Sequence, residues 1–357
     1  ILSKIGLYNS LVTHLISKGI KIKIFDKVNE DPSIENLQSA IEEATIFLAT
    51  GVIGFGGGSP MDVAKLTALM LGSNDKIDEI WGVDKVVGPR LPLILIPTTA
   101  GTGSEVTPIS IITLSNSEKK GVSSKVIIPD LAILDPILTS DLPSKTTAST
   151  GIDAMVHAIE AFTSKSKNNN PISKALAEKS LMLLSDSIIK AVENGKNDAV
   201  ARNQMLLGSL MAGMSFANSP VAAVHALAYP LGGIYKITHG LSNALILPYV
   251  IRFNMKDDET RDSYLHLSDI IFPQLKNIKH LEDKTLAFVN EFINLSKRFN
   301  LPTRIRDLGI PKKACKTMSI EAMKQERLLI NNPIPVSYTH LRAHETSLHL
   351  VCRLLLE

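Results

Sequence analysis

Residues 52–71 read Val52-Ile-Gly-Phe-Gly-Gly-Gly-Ser-Pro-Met-Asp-Val-Ala-Lys-Leu-Thr-Ala-Leu-Met-Leu71: a short apolar run, a glycine turn and a helical pattern in direct succession. A short apolar run that ends in glycines is typical of a buried strand. Pro60 suits the first helical position, and the apolar residues after it recur at helical spacing. The stretch therefore predicts a strand, a tight turn and a helix, which is the repeating unit of α/β folds.

The segments on either side continue this alternation. Ile20–Phe25 alternates apolar and polar residues and predicts a strand, and residues 34–46 are charged, rich in alanine and predict a helix. Leu91–Ile96 is an apolar run stopped by Pro97, which predicts a second buried strand. Strands and helices in this order favour a mostly parallel sheet with helices packed on it.

The pattern changes after about residue 141, where strand-like runs nearly vanish. Four long segments predict helices: Thr147–Ser164, Ile172–Val192, Ala199–Phe216 and Lys284–Phe299. We therefore predict an α/β domain over residues 1–141, followed by an all-helical domain over residues 142–336.

The composition excludes several functional classes. The chain has 357 residues, of which 45% are hydrophobic and 20% charged, as in ordinary folded proteins. A net charge of only +3 predicts neither nucleic acid nor an anionic membrane as a partner. The sequence has no apolar run of the roughly 18 residues that a bilayer span needs. Two cysteines provide no disulfide framework, so we expect a reduced, cytoplasmic environment.

The first glycine loop predicts an anion site. Gly56, Gly57 and Gly58 let the backbone approach a ligand closely, and Ser59 suits the N-cap of the helix that follows. The free N–H groups and positive dipole end of that helix would fit a pyrophosphate. The alternative is a tight capped turn without a ligand, because the usual Gly-x-Gly-x-x-Gly dinucleotide pattern is not met.

A second loop follows the strand at Leu91–Ile96 directly. Pro97–Thr107 carries several threonines and two glycines within a short distance. Ligands of open α/β sheets sit at the carboxyl ends of strands, so two such loops together favour a bound nucleotide. A solvated polar turn is the alternative.

The predicted helical domain contains a candidate metal site. Asp153 and His157 are four residues apart in an apolar helix and project from one face. His225 and His239 lie further along the chain, again among apolar residues. One carboxylate and three imidazoles suit Fe²⁺ or Zn²⁺ and suit Ca²⁺ or Mg²⁺ poorly. Ordinary structural histidines stay an alternative, because a sequence does not show whether distant segments converge.

Four motifs, in order, resemble the iron-containing (group III) alcohol dehydrogenases. They are Gly56–Asp62, Pro97–Glu105, Gly151–Glu160 and His225–Gly240, and the resemblance extends from residue 1 to about residue 333. It implies a dehydroquinate synthase-like architecture: a nucleotide-binding α/β domain, a helical domain, and an active site in the cleft between them. It also implies a homo-oligomer.

The resemblance implies a role for each matching residue. The metal ligands would be Asp153, His157, His225 and His239. The metal would be Fe²⁺, with Zn²⁺ as the alternative, and the nucleotide would be NAD or NADP. The nucleotide would be held by Gly56, Gly57, Gly58, Ser59, Asp62, Thr98, Thr99, Thr102 and Lys119.

The implied reaction is hydride transfer between a small primary or secondary alcohol and NAD(P), with an aldehyde or ketone as substrate in the reverse direction. The metal would act as a Lewis acid on the alcohol oxygen, and the nicotinamide would carry the hydride. Many family members have a second histidine, assigned to proton relay, four residues after the third ligand. Tyr229 stands at that position here and is the candidate relay.

Both ends of the chain depart from the family pattern. The resemblance implies that the family's first strand is missing, and residues 337–357 look like translated vector or adapter sequence. Three alternatives to the leading function follow. One is a glycerol- or hydroxy-acid-specific dehydrogenase. A cyclising synthase of the dehydroquinate type is another, although the full ligand set argues against it. The last is an inactive, truncated nucleotide-binding protein.

Overall fold

A computed structural model of the chain describes residues 6–114 and 118–337. By its internal contacts the chain divides into two compact units. Unit 1 holds the residues up to Thr99 together with Ser104–Thr139, and unit 2 holds Ala100–Gly103 together with the chain from Ser140 onward.

The described residues of unit 1 form two small sheets and three α-helices. Its helices are α1 (Asn9–Ser17), α2 (Ile34–Ile46) and α3 (Gly58–Gly72). Its strands are β1 (Val52–Gly56), β2 (Gly82–Val83), β3 (Leu93–Pro97), β4 (Ile109–Thr113), β5 (Lys119–Ser123) and β6 (Leu131–Ala132). One sheet has the order β1-β3-β6 and the other β2-β5-β4. Only the β4–β5 pair is antiparallel among the described ladders, so the mostly parallel sheet is confirmed.

The pairing of β1 with β3 brings the two predicted ligand loops together. The register runs from Val52 opposite Leu93 to Gly56 opposite Pro97, so both strands end at the same edge of the sheet. The Thr98 N–H donates to the Gly56 carbonyl at 2.9 Å and extends the match by one residue. Helix α3 buries Met61 and its neighbours against β3, which fixes the turn between strand and helix.

One predicted strand is wrong. Ile20–Phe25 takes part in none of the ladders in the described part of the chain, and Ile20 and Ile24 are 49% and 42% exposed. Alternating residues form a strand only where a neighbouring strand supplies hydrogen-bond partners, and none of the described strands pairs with this segment. The predictions for the chain ends stay untested, and residues 338–357 of the predicted foreign tail lie outside the described residues.

Unit 2 confirms the predicted helical part, since its named elements from Ser140 to Ser337 are all helices. They are α4 (Ser144–Thr163), α5 (Pro171–Asn194), α6 (Ala199–Asn218), α7 (Ala223–Tyr235), α8 (His239–Asn254), α9 (Asp258–Ile271), α10 (Leu281–Arg298), α11 (Ala314–Met323) and α12 (Glu326–Leu329), with short 3₁₀ turns between them. Helix α4 contacts α5, α6 and α8 and is buried along most of its length. Among the described helices, none combines the length and apolar character that crossing a membrane requires.

Candidate metal and nucleotide sites

Three helices of unit 2 bring the four predicted metal ligands together. Asp153 and His157 lie one turn apart on α4, and both are buried. His225 is the third residue of α7, and His239 is the first residue of α8. One carboxylate oxygen and three imidazole nitrogens from these residues all lie within 4.8 Å of one another.

The side-chain amide of Asn243 shows where these groups point. Its Nδ2 lies 2.6 Å from Asp153 Oδ1, 3.2 Å from His225 Nε2 and 3.2 Å from His239 Nε2. An amide nitrogen donates and carries two hydrogens, so at most two of these three atoms accept from it at a time. The carboxylate oxygen and the two imidazole nitrogens still surround one small region, and a bound cation requires potential donor atoms grouped in this way.

Two of the imidazoles have their second nitrogen occupied. His157 Nδ1 lies 3.1 Å from the Gly101 carbonyl oxygen, and because a carbonyl only accepts, Nδ1 carries the hydrogen. His225 Nδ1 lies 2.6 Å from Glu160 Oε2. Metal-binding histidines almost always donate their other N–H to a carbonyl or carboxylate in this way, which leaves Nε2 for the metal.

The charge states also match a metal site. Burial lowers the pKa of His157 to about 3, against the opposing pull of Asp153, so this imidazole is neutral near pH 7. Burial by itself would raise the pKa of Asp153, but the three imidazoles and the Asn243 amide together hold it below its usual value. An ionised carboxylate and a neutral imidazole are the forms that bind metal.

The residues present fit a divalent ion of the Fe²⁺ or Zn²⁺ kind. Nitrogen and oxygen donors surround such an ion at about 2.0–2.2 Å, and therefore lie about 3–4 Å from one another. The four candidate donor atoms here lie within 4.8 Å of one another, which is close to that spacing. The mixture of imidazoles with a carboxylate suits these metals better than Ca²⁺ or Mg²⁺, which prefer oxygen ligands alone.

The candidate relay residue lies on the same helix face as a ligand. Tyr229 is one turn after His225 in α7 and is partly buried. Its hydroxyl oxygen accepts a hydrogen bond of 3.1 Å from Nη2 of Arg327, which belongs to α12.

The first glycine loop forms the predicted turn, with one correction. The N-cap is Gly57 and not Ser59, because α3 begins at Gly58, two residues before the predicted start, and places Ser59 inside its first turn. Gly57 has no side chain to cap the helix, so no side chain of the N-cap competes with a ligand for the first N–H groups. Gly56 has φ of 150°, a conformation that favours glycine over other residues.

Asp62 and Lys65 of α3 attach the helix to the end of the second loop and to strand β4 after it. Asp62 accepts hydrogen bonds from Ser104 Oγ at 2.7 Å and from the Ile111 N–H at 2.9 Å, so both carboxylate oxygens have partners within unit 1. The Lys65 ammonium donates to Ser104 Oγ at 2.9 Å, Thr107 Oγ1 at 3.3 Å and the Ile109 carbonyl at 2.7 Å. These contacts use all three of its hydrogens, and burial lowers its pKa to about 8.

The structure brings some of the other predicted nucleotide residues together and separates others. Thr99 Oγ1 lies 3.4 Å from the point where a Cβ on Gly57 would stand, so the two loops meet there within unit 1. Thr102 belongs to the four-residue segment that is part of unit 2. Lys119 forms an ion pair of 2.6 Å with Asp31 and is nearly buried.

Three residues with clear structural roles were not singled out by sequence reasoning. Glu160 lies seven residues after Asp153, and Asn243 lies four residues after His239, so helical spacing places each on the face of a ligand. Lys65 is a charged residue beside Ala64 on the apolar face of a predicted helix. In all three cases a polar residue lies on an apolar helix face. A polar side chain that is buried there needs a hydrogen-bond partner, so this pattern could have identified these residues from the sequence.

Comparison with known proteins gives the same family for both parts of the chain. The sequence-family model of the iron-containing alcohol dehydrogenases matches residues 1–136. A second family model, for the C-terminal part of the Fe-containing alcohol dehydrogenase family, matches residues 147–343. Long-chain-alcohol dehydrogenase 1 of Geobacillus thermodenitrificans is 38% identical over 347 residues, which cover 96% of this chain and 86% of the relative.

Two solved structures have the same fold. An alcohol dehydrogenase from Oenococcus oeni matches with a TM-score of 0.88 and 31% identity, over 94% of this chain and 86% of the other. Sulfoacetaldehyde reductase from Bifidobacterium kashiwanohense, in complex with NAD⁺, matches with a TM-score of 0.82 and 29% identity, over 95% and 87%. With these matches the resemblance carried by the four motifs is confirmed, and the chain belongs to the iron-containing alcohol dehydrogenase family.

Proposed function

We propose that this chain transfers hydride between a small primary or secondary alcohol and NAD(P), and reduces the corresponding aldehyde or ketone in the reverse direction. Membership of the family makes it an NAD(P)-dependent oxidoreductase that uses iron. The observation that carries the assignment of the site is the convergence of one carboxylate and three imidazoles in unit 2. Asp153, His157, His225 and His239 are the proposed metal ligands.

These side chains prepare the site for a cation. A divalent ion held there supplies Lewis acidity, which lowers the pKa of an alcohol hydroxyl. The single carboxylate of Asp153 would partly offset the ion's charge, and imidazole ligands, which bind metal in their neutral form, would add none. Tyr229 is the proposed proton relay, because it lies one helical turn from His225 and its hydroxyl is held by a hydrogen bond from Arg327.

The nucleotide is proposed to bind through backbone groups and small polar side chains. Gly56, Gly57 and Gly58 with Ser59 would hold the pyrophosphate at the N-terminus of α3, where free N–H groups and the helix dipole favour an anion. The hydroxyls of Thr98, Thr99 and Thr102, together with Lys119, are the proposed further contacts. The NAD⁺ complex of the sulfoacetaldehyde reductase supports a nucleotide site on this fold.

Metal analysis combined with an NAD(P)-linked assay tests this function. We expect one divalent ion per chain and alcohol-dependent reduction of NAD or NADP. Asp153→Ala and His225→Ala should lose both, whereas His266→Ala, which changes a surface histidine, should keep both. Ligand variants with unchanged metal content and unchanged turnover would contradict the assignment.

The same assay with a panel of neutral alcohols, glycerol and hydroxy acids identifies the substrate class. Preference for glycerol or a hydroxy acid would support the related dehydrogenase over the simple alcohol dehydrogenase. Nucleotide binding without turnover of any member of the panel would support the inactive nucleotide-binding protein. Homo-oligomeric assembly and a cytoplasmic location stay predictions.

A further inference from the structure

Glu160 lies next to the candidate metal site and contacts one of its histidines. We propose that Glu160 is a positioning residue, which holds His225 in the tautomer and orientation that metal binding requires. The inference rests on the proposed function for the role of His225 as a ligand.

The carboxylate of Glu160 makes two short contacts with the start of α7. Its Oε1 accepts the backbone N–H of Val224 at 2.7 Å, and its Oε2 lies 2.6 Å from His225 Nδ1. Glu160 is only 3% exposed, so water does not replace either contact. Ala222, the N-cap of α7, offers no side-chain hydrogen bond, and the carboxylate from α4 satisfies one of the free N–H groups instead.

These contacts fix the position of the imidazole hydrogen. The backbone N–H of Val224 donates to Oε1 of Glu160, and a carboxylate has acceptor oxygens only, so Oε2 accepts from the imidazole. His225 therefore carries its hydrogen on Nδ1. Its Nε2 keeps a lone pair, in agreement with the Asn243 Nδ2 donor 3.2 Å away. Both the hydrogen and the ring orientation are set by Glu160 before any metal binds.

A glutamine at this position would reverse the pattern. Its single carbonyl oxygen can accept from only one of the two donors, and its amide nitrogen must face the other. With the oxygen on the Val224 N–H, the amide donates to His225 Nδ1, and the imidazole then carries its hydrogen on Nε2. That tautomer presents a hydrogen instead of a lone pair to the metal. The side chain in the Glu160→Gln variant thus has almost the same shape as glutamate, but its hydrogen-bonding pattern favours the His225 tautomer that cannot bind metal through Nε2.

Two measurements that do not depend on activity test the proposal. The first is Zn²⁺ affinity of the full chain, measured by competition with a chromophoric chelator. We expect Glu160→Gln to bind Zn²⁺ about 10–100-fold more weakly than the unchanged protein, the usual effect of losing such a contact. Glu178→Gln is the matched control, because it changes another histidine–carboxylate pair, with His266 at 2.8 Å on the surface, and should leave the affinity unchanged.

The second measurement is the tautomer of His225 in metal-free protein, from ¹⁵N NMR with labelled histidine. The His225 signal is identified by its loss in His225→Gln. We expect the hydrogen on Nδ1 in the unchanged protein and on Nε2 in Glu160→Gln. The unchanged protein decides the question even if the variant fails to fold, since an Nε2 hydrogen there would overturn the proposal.

The outcomes separate this proposal from the proposed function. Unchanged Zn²⁺ affinity in a folded Glu160→Gln variant would overturn the role of Glu160 while the metal site stands. A protein that binds no Zn²⁺ or Fe²⁺ at all would contradict the proposed function, and the tautomer measurement would still decide whether Glu160 sets the hydrogen of His225.

Discussion

At the scale of single residues, Asn243 is the group that touches most of the candidate ligands. Its Nδ2 is within hydrogen-bonding distance of three of them, yet an amide carries only two hydrogens there. The shortest contact, 2.6 Å to Asp153 Oδ1, is with an ionised acceptor and is the one that holds a carboxylate in place.

We expect Asn243→Leu to weaken Zn²⁺ or Fe²⁺ binding by about tenfold, because Asp153 loses the donor that orients it. Asn254→Leu is the matched control: Asn254 is also a buried asparagine of α8, but its partners are Tyr264 and Asn332. The control should lower the melting temperature and leave the metal affinity of the folded protein unchanged. Equal losses of affinity in both variants would contradict a specific role for Asn243.

Glu105, in the second loop, makes the stability of the protein depend on pH. Burial raises its pKa to about 7 from 4.5, although its own backbone N–H and Lys65 oppose the shift. Between these two pH values the folded state holds a proton that the unfolded state has released. Stability from this group is therefore complete below pH 4.5 and is lost as the pH rises through 7.

Glu105→Gln removes this effect. We expect the variant to be more stable than the unchanged protein at pH 8.5, by on the order of 3 kcal/mol, since each unit of pKa shift corresponds to about 1.4 kcal/mol. At pH 4.5 the difference should vanish. Urea unfolding at both pH values measures it, and a difference that stays the same from pH 4.5 to 8.5 would contradict the shift.

At the scale of elements, side-chain hydrogen bonds join helix α3 to the segment from Ser104 to Ile109. Lys65 donates its three hydrogens to that segment, and Asp62 accepts from Ser104. Helix α3 begins at the last glycine of the first glycine loop. These contacts therefore fix the first glycine loop relative to the end of the second loop. All of these atoms belong to unit 1.

We expect Lys65→Met to raise the KM for NAD(P) about tenfold and to change kcat less than twofold, because the affected loops would bind nucleotide and not metal. The Ile109 carbonyl loses a buried donor, which costs about 1–3 kcal/mol of stability. Lys76→Met, at an exposed lysine that pairs with Glu79, is the control and should change neither quantity. A fall in kcat with unchanged KM would contradict the expected role of Lys65.

The elements also show what the sequence could predict. Helix α2 runs over the predicted residues 34–46, since local signals such as the Ser33 cap mark its start. The strand at Ile20–Phe25 was wrong because strand formation depends on a distant partner. Ser59 was a reasonable cap by residue type, yet the turn places Gly57 there. The convergence of His225 and His239 was indicated by family resemblance alone, because helix packing is not encoded in local spacing.

At the scale of the whole molecule, the candidate metal ligands and most of the candidate nucleotide residues belong to different units. All four candidate ligands belong to unit 2, while the first glycine loop belongs to unit 1. Ala100–Gly103 is part of unit 2, and the Gly101 carbonyl accepts from the candidate ligand His157. Gly103 has φ of 59°, and a Cβ there would lie 2.6 Å from Gly213 Cα, so this segment packs closely within unit 2.

Metal removal should therefore affect the two units differently. We expect chelation to speed amide hydrogen exchange in α4, at the starts of α7 and α8, and in residues 100–103, because all four segments contain a candidate ligand or contact one. The strands β1 and β3 should keep their exchange rates. Adding Zn²⁺ at 100 times its Kd should restore protection and stabilise the folded state by about 2.7 kcal/mol. NAD⁺ added to the metal-free protein should instead protect residues 56–62. Exchange that rises equally in both units on chelation would contradict a metal site built from unit 2 alone.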